Sequence, residues 1–471
     1  MMADAAAVEI FVERARARAD HGDDASTARG TGGARTRNQG RAPSDTSSAA
    51  IVEGRPLSQW RAEARQFLGL PDAPVFAAGH QATAWHPGIV AKTFWTDATA
   101  RTHGASAVHL VVDQDAFDGC FVEWPELKDG FWTAKGHRFA PAAANAAALT
   151  LPAFLPRAAD ASDDAPEMVR KGLHHLSQLL AARADAANAA LQVTLAQLDG
   201  LAPWIAMPRV VCASQLTGTS LGRRLVERML EDPQACAESF NAALRLHPHA
   251  ARPLRVQGAQ SELPLWLLDE TGARVRATAD GVRAALAAGR PLLPRAFLLG
   301  VLARTALADR FTHGLGGQVY EDVSDEWMQQ WLGWRAPAFD VVSATLCLPL
   351  EVRELPRQKS YRAAWCDPDL TAVAGAGPST RRRKFLDDIA ALPRRSPQRR
   401  RLFEALVADR QTRRAELAPV LRQLQQSEQA LQRSSQSKAL ARRRSWCALL
   451  HAPDALSQLR QQLFAQVGAG T

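Results

Sequence analysis

The chain has 471 residues, more than the roughly 250–300 at which one hydrophobic core stops growing, so two or three folded units are expected. With 46% apolar and 22% charged residues its composition is that of a globular protein, and abundant Ala and Leu favour helix over strand. The formal net charge is +9, but Arg381 to Arg444 holds 18 Lys+Arg against 6 Asp+Glu, so the rest of the chain sums to −3. A nucleic-acid function carried by general basicity is thereby excluded.

Six cysteines (Cys120, Cys212, Cys236, Cys347, Cys366, Cys447) form no CxxC and no zinc-like His/Cys spacing, so neither a metal site nor a disulfide framework is expected. The first twenty residues alternate charges without a signal-type apolar stretch, and no run reaches the ~18 apolar residues of a membrane span. The expected compartment is the reducing cytoplasm, with no membrane partner. Neither HExxH nor a Walker A sequence occurs, and serine-hydrolase, zinc-protease and P-loop readings find no support.

Residues 1–52 are rich in Gly, Ser, Ala and Arg and read as a disordered leader. The first part of an α/β core is expected over 53–156. A short helix there leads to Ala73–Ala78, a buried strand ended by Gly79. A helix across Ile89–His103 and a second buried strand, Ala107–Asp113, complete a βαβ unit of a parallel sheet. An Ala/Leu-rich helical insertion is expected over 157–240. The second part of the core, 241–368, holds a hairpin over Glu262–Thr278, an apolar helix over Pro294–Arg310 and a glycine-rich turn from Phe311 to Gly317. Residues 369–471 form a basic helical region in which Leu402, Leu406, Leu417, Leu421, Leu424 and Leu431 make a narrow seam of coiled-coil type. Pro419 interrupts the seam and predicts a helical hairpin.

Three clusters carry candidate chemistry. Gly79, His80 and Gln81, followed by His86, Gly88 and Lys92, stand where a strand ends and a helix begins. Free N–H groups and the helix dipole favour an anion there, and the histidines are candidate acid–base groups. Asp113, Asp115 and Asp118 follow the second strand, where ligands of doubly wound sheets sit, and could grip an amine, a ribose or Mg²⁺. His313, Gly314, Gly316 and Gly317, with Tyr320 and Glu321, form a turn able to wrap a ligand. The bland alternatives are a capped helix with surface histidines, acidic residues kept for solubility, and a structural turn. The arginines flanking the leucine seam read more readily as a solvated helix face than as a nucleic-acid site.

The segments VFAAGHQATAWHPGIVAKTF, AVHLVVDQDAFD and FTHGLGGQVYEDVSDEW resemble the bacillithiol-biosynthesis cysteine-adding enzyme family, most of all its uncharacterised branch. The resemblance covers about 70–135 and 240–350. It implies a Rossmann-like, nucleotidyltransferase-like core with helical inserts and a C-terminal coiled coil that pairs subunits. It places Gly79, His80 and Gln81 on the nucleotide-site turn, Asp113, Asp115 and Asp118 on an acidic motif, and Gly316 and Gly317 on a distal turn. The expectation is a carbon–nitrogen ligase or transferase acting on a small amine or carboxylate, with ATP or another nucleotide and Mg²⁺ as the implied cofactors. His80, His86, Asp113 and His313 would be catalytic, and an antiparallel homodimer would form through the C-terminal helices. The alternative is a non-catalytic assembly protein whose basic tail recruits an acidic partner or RNA.

Overall fold

A computed structural model describes residues 8–14, 50–356, 360–371 and 378–468. They fall into two compact units, one built from the chain up to Trp124, Lys135–Leu348 and the residues from Arg444 on, the other from Pro125–Ala134 and Pro349–Arg443.

The first unit is mixed α/β. In chain order it contains β1 (Glu9–Glu13), α1 (Leu57–Phe67), β2 (Val75–Gln81), α2 (Pro87–Thr102), β3 (Ser106–Val112), α3 (Glu167–Ala182), α4 (Ala189–Leu201), β4 (Arg209–Cys212), α5 (Ser220–Glu231) and α6 (Pro233–Leu246). It continues through α7 (Ala279–Ala287), α8 (Ala296–Leu302), β5 (Arg310–His313), α9 (Leu315–Leu332) and β6 (Asp340–Thr345). These six strands form one sheet in the order β1-β6-β5-β2-β3-β4. Every neighbouring pair is parallel except β1 against β6. From β2 the chain builds outward through β3 and β4, then returns to the other side of β2 for β5 and β6. The direction of winding therefore reverses between β2 and β5, and in open parallel sheets the crevice beyond the carboxyl ends at such a reversal is where ligands bind.

Burial on both faces explains why β2 and β3 are apolar rather than alternating. On one face Val75, Ala77, Val108, Leu110 and Phe311 join a core that includes Leu57, Leu221, Phe240, Leu298 and Trp327 from α1, α5, α6, α8 and α9. On the other, Val342 and Ala344 of β6 pack with Ile89, Phe94 and Trp95 of α2 and with Leu456, Leu459 and Leu463 from the last helix of the chain, Pro453–Gly468. Helix α2 is buried from Pro87 to Ala100, as befits a helix between the sheet and another helix. Asp340 ties its base to the sheet by accepting from Trp95 Nε1 at 2.8 Å and from Arg310 Nε and Nη2 at 2.6 and 3.0 Å.

Several sequence expectations change. Glu9–Glu13 lie in the expected leader yet form an edge strand, because Val8, Ile10 and Val12 alternate with the exposed Glu9, Phe11 and Glu13 and pack onto the core. Residues 1–7 and 15–49 of that leader lie outside the described residues. The expected helical insertion over 157–240 contains α3–α6 but also supplies β4, a sheet strand only four residues long. The expected hairpin forms as Glu262–Leu268 paired antiparallel with Arg274–Thr278. The apolar helix over Pro294–Arg310 is α8 extended by a π-turn, Ala303–Leu307, with Arg310 already in β5.

The second unit carries α10 (Tyr361–Cys366), α11 (Thr380–Ala390), α12 (Pro397–Glu416) and α13 (Ala418–Ala441); the last helix of the chain, α14 (Pro453–Gly468), belongs to the first unit. The hairpin expected at Pro419 is a bent rod. Leu417 keeps near-helical dihedrals (φ −98°, ψ 12°) and its carbonyl accepts from Leu421 N, while Pro419 sits in the first turn of α13, where the missing N–H costs no helical bond. Of the seam leucines Leu421 is buried and Leu402, Leu406, Leu417, Leu424 and Leu431 are half-buried within this single chain.

Candidate functional site

The carboxyl ends of β2, β3 and β5 lie side by side, with Gly79, His80 and Gln81 opposite Leu110, Val111 and Val112, and Ala78 opposite Thr312. This register brings the first and third sequence clusters together. Lys92 reaches back from α2, and its Nζ donates to the Gly79 carbonyl at 2.6 Å. A Cβ built on Gly314 would stand 3.7 Å from Lys92 Cδ, so the turn after β5 passes close to the same side chain.

Lys92 is 7% exposed, and no carboxylate pairs with it among the described residues. A buried ammonium without a counter-ion is unfavourable, and desolvation alone brings its pKa down to about 8. Burial and the charge of Lys92 lower the histidines around it as well. His80 is pushed well below the ordinary imidazole range by burial first, then by Lys92. His109, stacked on Trp85 with centroids 4.7 Å apart, falls to about 3, and His86 to about 4. At neutral pH Lys92 is thus the cation of this cluster and the imidazoles are neutral.

The two helix starts at this edge differ. The N-terminus of α2 is already satisfied: His86 Nδ1 accepts from Gly88 N at 3.1 Å, Ile89 and Val90 N donate to His86 O, and Pro87 has no N–H. His86 is therefore a cap, and Gly88 allows close packing, since a Cβ there would lie 2.9 Å from Ser343 Oγ. The expected phosphate cradle at this helix is not formed. Helix α9, by contrast, begins at Gly314 with no side-chain cap and no acidic residue in its first turn, and a Cβ on Gly316 would meet nothing within 4 Å. Its N–H groups and dipole favour an anion.

The side chains of His80 and Gln81 form no hydrogen bond among the described residues, and both are half-buried beside this edge. His313 belongs to a different network. Its Nε2 stands 2.9 Å from Glu321 Oε1, and Gly317 leaves room for its ring, because a Cβ there would lie 2.5 Å from Nδ1. Glu321 is buried, which by itself would raise its pKa, but Arg304 at 2.7 Å and His313 hold it below the ordinary value. Tyr320 is 40% exposed and packs edge-on to Phe297. His313 and Glu321 thus belong to one network, with Arg304, that anchors α9 on the sheet.

The acidic cluster does not converge. Asp113 is buried, and its two oxygens accept from Ser214 N at 3.0 Å and Ser214 Oγ at 2.5 Å, which pins the end of β3 to the turn after β4. Asp115 pairs with Arg274 at 2.8 Å, and Asp118 accepts from Phe121 N at 3.4 Å. Among the described residues no group of three His, Cys, Asp or Glu is arranged to hold a metal ion. These carboxylates are committed to fold contacts and do not fit a shared Mg²⁺ site.

Gln114, which stands within the acidic cluster, donates through Nε2 to Pro294 O while its buried Oε1 has no partner. Sequence reasoning passed over Gly218-Thr219-Ser220-Leu221-Gly222, which has GxSxG spacing. Ser220 opens α5 after a 3-10 turn, not at the tip of a strand, and forms no hydrogen bond to a histidine among the described residues, so the arrangement is not a nucleophile elbow.

No protein-family model matches the chain, and no curated protein matches it. No helix among the described residues is long and apolar enough to cross a membrane.

Proposed function

We propose that this protein binds the anionic group of a small molecule, a phosphate or carboxylate, between Lys92 and the N-terminus of α9. The observation that carries the proposal is the burial of Lys92 without a counter-ion at the winding reversal of a parallel sheet. A bound anion would offset a desolvation penalty that the protein otherwise bears alone. In this reading the sheet is a Rossmann-like core. Its ligand is of the nucleotide or amino-acid type, and the chemistry is ligase or transferase chemistry like that of the cysteine-adding family the sequence resembles. His80 and Gln81 supply neutral hydrogen-bonding groups beside the anion. Asp113, His86 and His313 hold the frame and do not act on substrate.

Calorimetric titration with ATP, CTP, pyrophosphate and cysteine tests this. Binding of at least one of them, weakened tenfold or more in Lys92→Met, is the expected result. Absence of binding by the unmodified protein, or unchanged affinity in Lys92→Met, would refute the assignment.

A further inference from the structure

Few N–H groups are available to an anion between Lys92 and the first turn of α9. Lys92 Nζ carries three, one of which goes to the Gly79 carbonyl at 2.6 Å. In α9, Gly317 N donates to Gly314 O at 2.9 Å. The N–H groups of Leu315 and Gly316 stay without an acceptor among the described residues, as the first N–H groups of an uncapped helix do. Four donors remain, two on the ammonium and two on the backbone. No arginine side chain bonds to residues 79–81 or 314–317 among the described residues.

The positive charge is as limited as the donor set. Burial alone shifts Lys92, with no acid and no second cation contributing. His80, His86 and His109 are neutral at pH 7, held down chiefly by burial. Arg444, whose charge reaches His86, is itself exposed, and His86 is spent on the capped start of α2. Arg310, the arginine of β5, is bound to Asp340 through Nε and Nη2. One full charge is therefore present, with the partial charge of a helix start, about half an elementary charge, beside it.

Resting on the anion assignment made above, we infer that the anionic group is a single carboxylate and not a phosphate, so that the small molecule this protein takes is an organic acid. A carboxylate carries one charge and about four lone-pair sites on its two oxygens, which matches one ammonium and the four free N–H groups. A phosphate monoester carries a charge of roughly −1.5 to −2 and three acceptor oxygens. It would leave excess negative charge and unfilled lone pairs beside a buried side chain, where both are costly. Phosphate sites supply the missing donors from a guanidinium fork or from a glycine-rich turn whose N–H groups converge on the ligand. Here the last glycine of the turn, Gly317, has its N–H on Gly314 O and gives its space to the His313 ring. The glycine-rich sequence therefore reflects packing as well as access.

Calorimetric titration of the full-length protein at pH 7 tests this with probes matched in body. Cysteine, propionate and benzoate each carry one carboxylate; ethyl phosphate, phenyl phosphate and pyrophosphate carry phosphate. At least one carboxylate should bind, about tenfold or more tightly than any of the phosphates, and Lys92→Met should remove that binding. A phosphate that binds as tightly as the best carboxylate, or more tightly, and is lost in Lys92→Met would overturn the carboxylate assignment while the Lys92 anion site stands. Binding that Lys92→Met leaves unchanged, or no binding by any probe, would overturn both.

Discussion

Lys92 Nζ donates to the Gly79 carbonyl at 2.6 Å, so the cation of α2 is held at the end of β2, beneath the turn that opens α9. Its pKa of about 8 against an ordinary 10.5 means that the folded state holds this proton less tightly than the unfolded chain. The unfolded state therefore binds more protons between pH 8 and 10.5, and stability rises with pH across that window. Lys92→Met removes the penalty and should stabilise the protein by about 1–3 kcal/mol at pH 7, while abolishing anion binding. Chemical denaturation and titration calorimetry on one sample measure both effects. A destabilised variant would mark Lys92 as a structural residue.

Acid should have the opposite effect. His109 at about 3 and His86 at about 4 are both depressed, burial being the largest cause. Between those values and the ordinary 6.5 the unfolded chain takes up protons that the folded protein refuses, so the stability linked to these two histidines is complete above pH 6.5 and is lost as pH falls toward 4. His109→Gln should flatten the dependence of melting temperature on pH in that window. A profile identical to that of the unmodified protein would show that His109 does not set the acid limit.

The strand and helix types around the site were legible because VFAAGH and AVHLVVD are continuous apolar runs ended by glycine or acid, and α2 lies between them. What sequence could not show is which helix start remains open. His86 looked like an acid–base group until its Nδ1 was found accepting from Gly88 N, and Asp113 looked like a ligand-binding carboxylate until Ser214, 101 residues away, occupied both of its oxygens. Long-range partners of this kind leave no periodic trace. Four-residue β4 and the edge strand β1 were missed for a related reason, since only their pairing with β3 and β6 defines them.

Asp113 makes a further prediction distinct from catalysis. Burial raises its pKa while the Ser214 hydroxyl and N–H oppose that rise. Asp113→Ala leaves Ser214 N and Oγ without their acceptor and should cost about 2–3 kcal/mol, whereas Ser214→Ala, which keeps the N–H bond, should cost about 1 kcal/mol. Neither should change ligand affinity measured on the folded fraction at 10 °C. A large affinity loss in Ser214→Ala with unchanged stability would return Asp113 to the site.

Gly316 and Gly317 are adjacent in the first turn of α9, yet the structure assigns them opposite tolerances. A methyl group on Gly317 would lie 2.5 Å from His313 Nδ1 and 3.0 Å from its Cγ. The imidazole lies between Phe311 and Phe339, with centroids at 4.7 and 5.2 Å, and its far side meets Glu321. It has little room to withdraw, so α9 must lift from β5. Overpacking of this kind costs about 1–3 kcal/mol, and it would displace the N-terminus of α9 from Lys92, so Gly317→Ala should lose both stability and anion affinity. At Gly316 no atom lies within 4 Å of the added methyl. Replacing a helical glycine with alanine there should gain up to about 1 kcal/mol through the unfolded state. If the bound anion lies against the open first turn, Gly316→Ala should gain stability but still bind more weakly, because the methyl group narrows the approach to the N–H groups. Denaturation midpoints and calorimetric affinities for the two variants provide four signs: both negative for Gly317→Ala, positive stability with reduced affinity for Gly316→Ala. Full affinity in Gly316→Ala would place the anion away from α9, and full stability in Gly317→Ala would mean that His313 is not held as described.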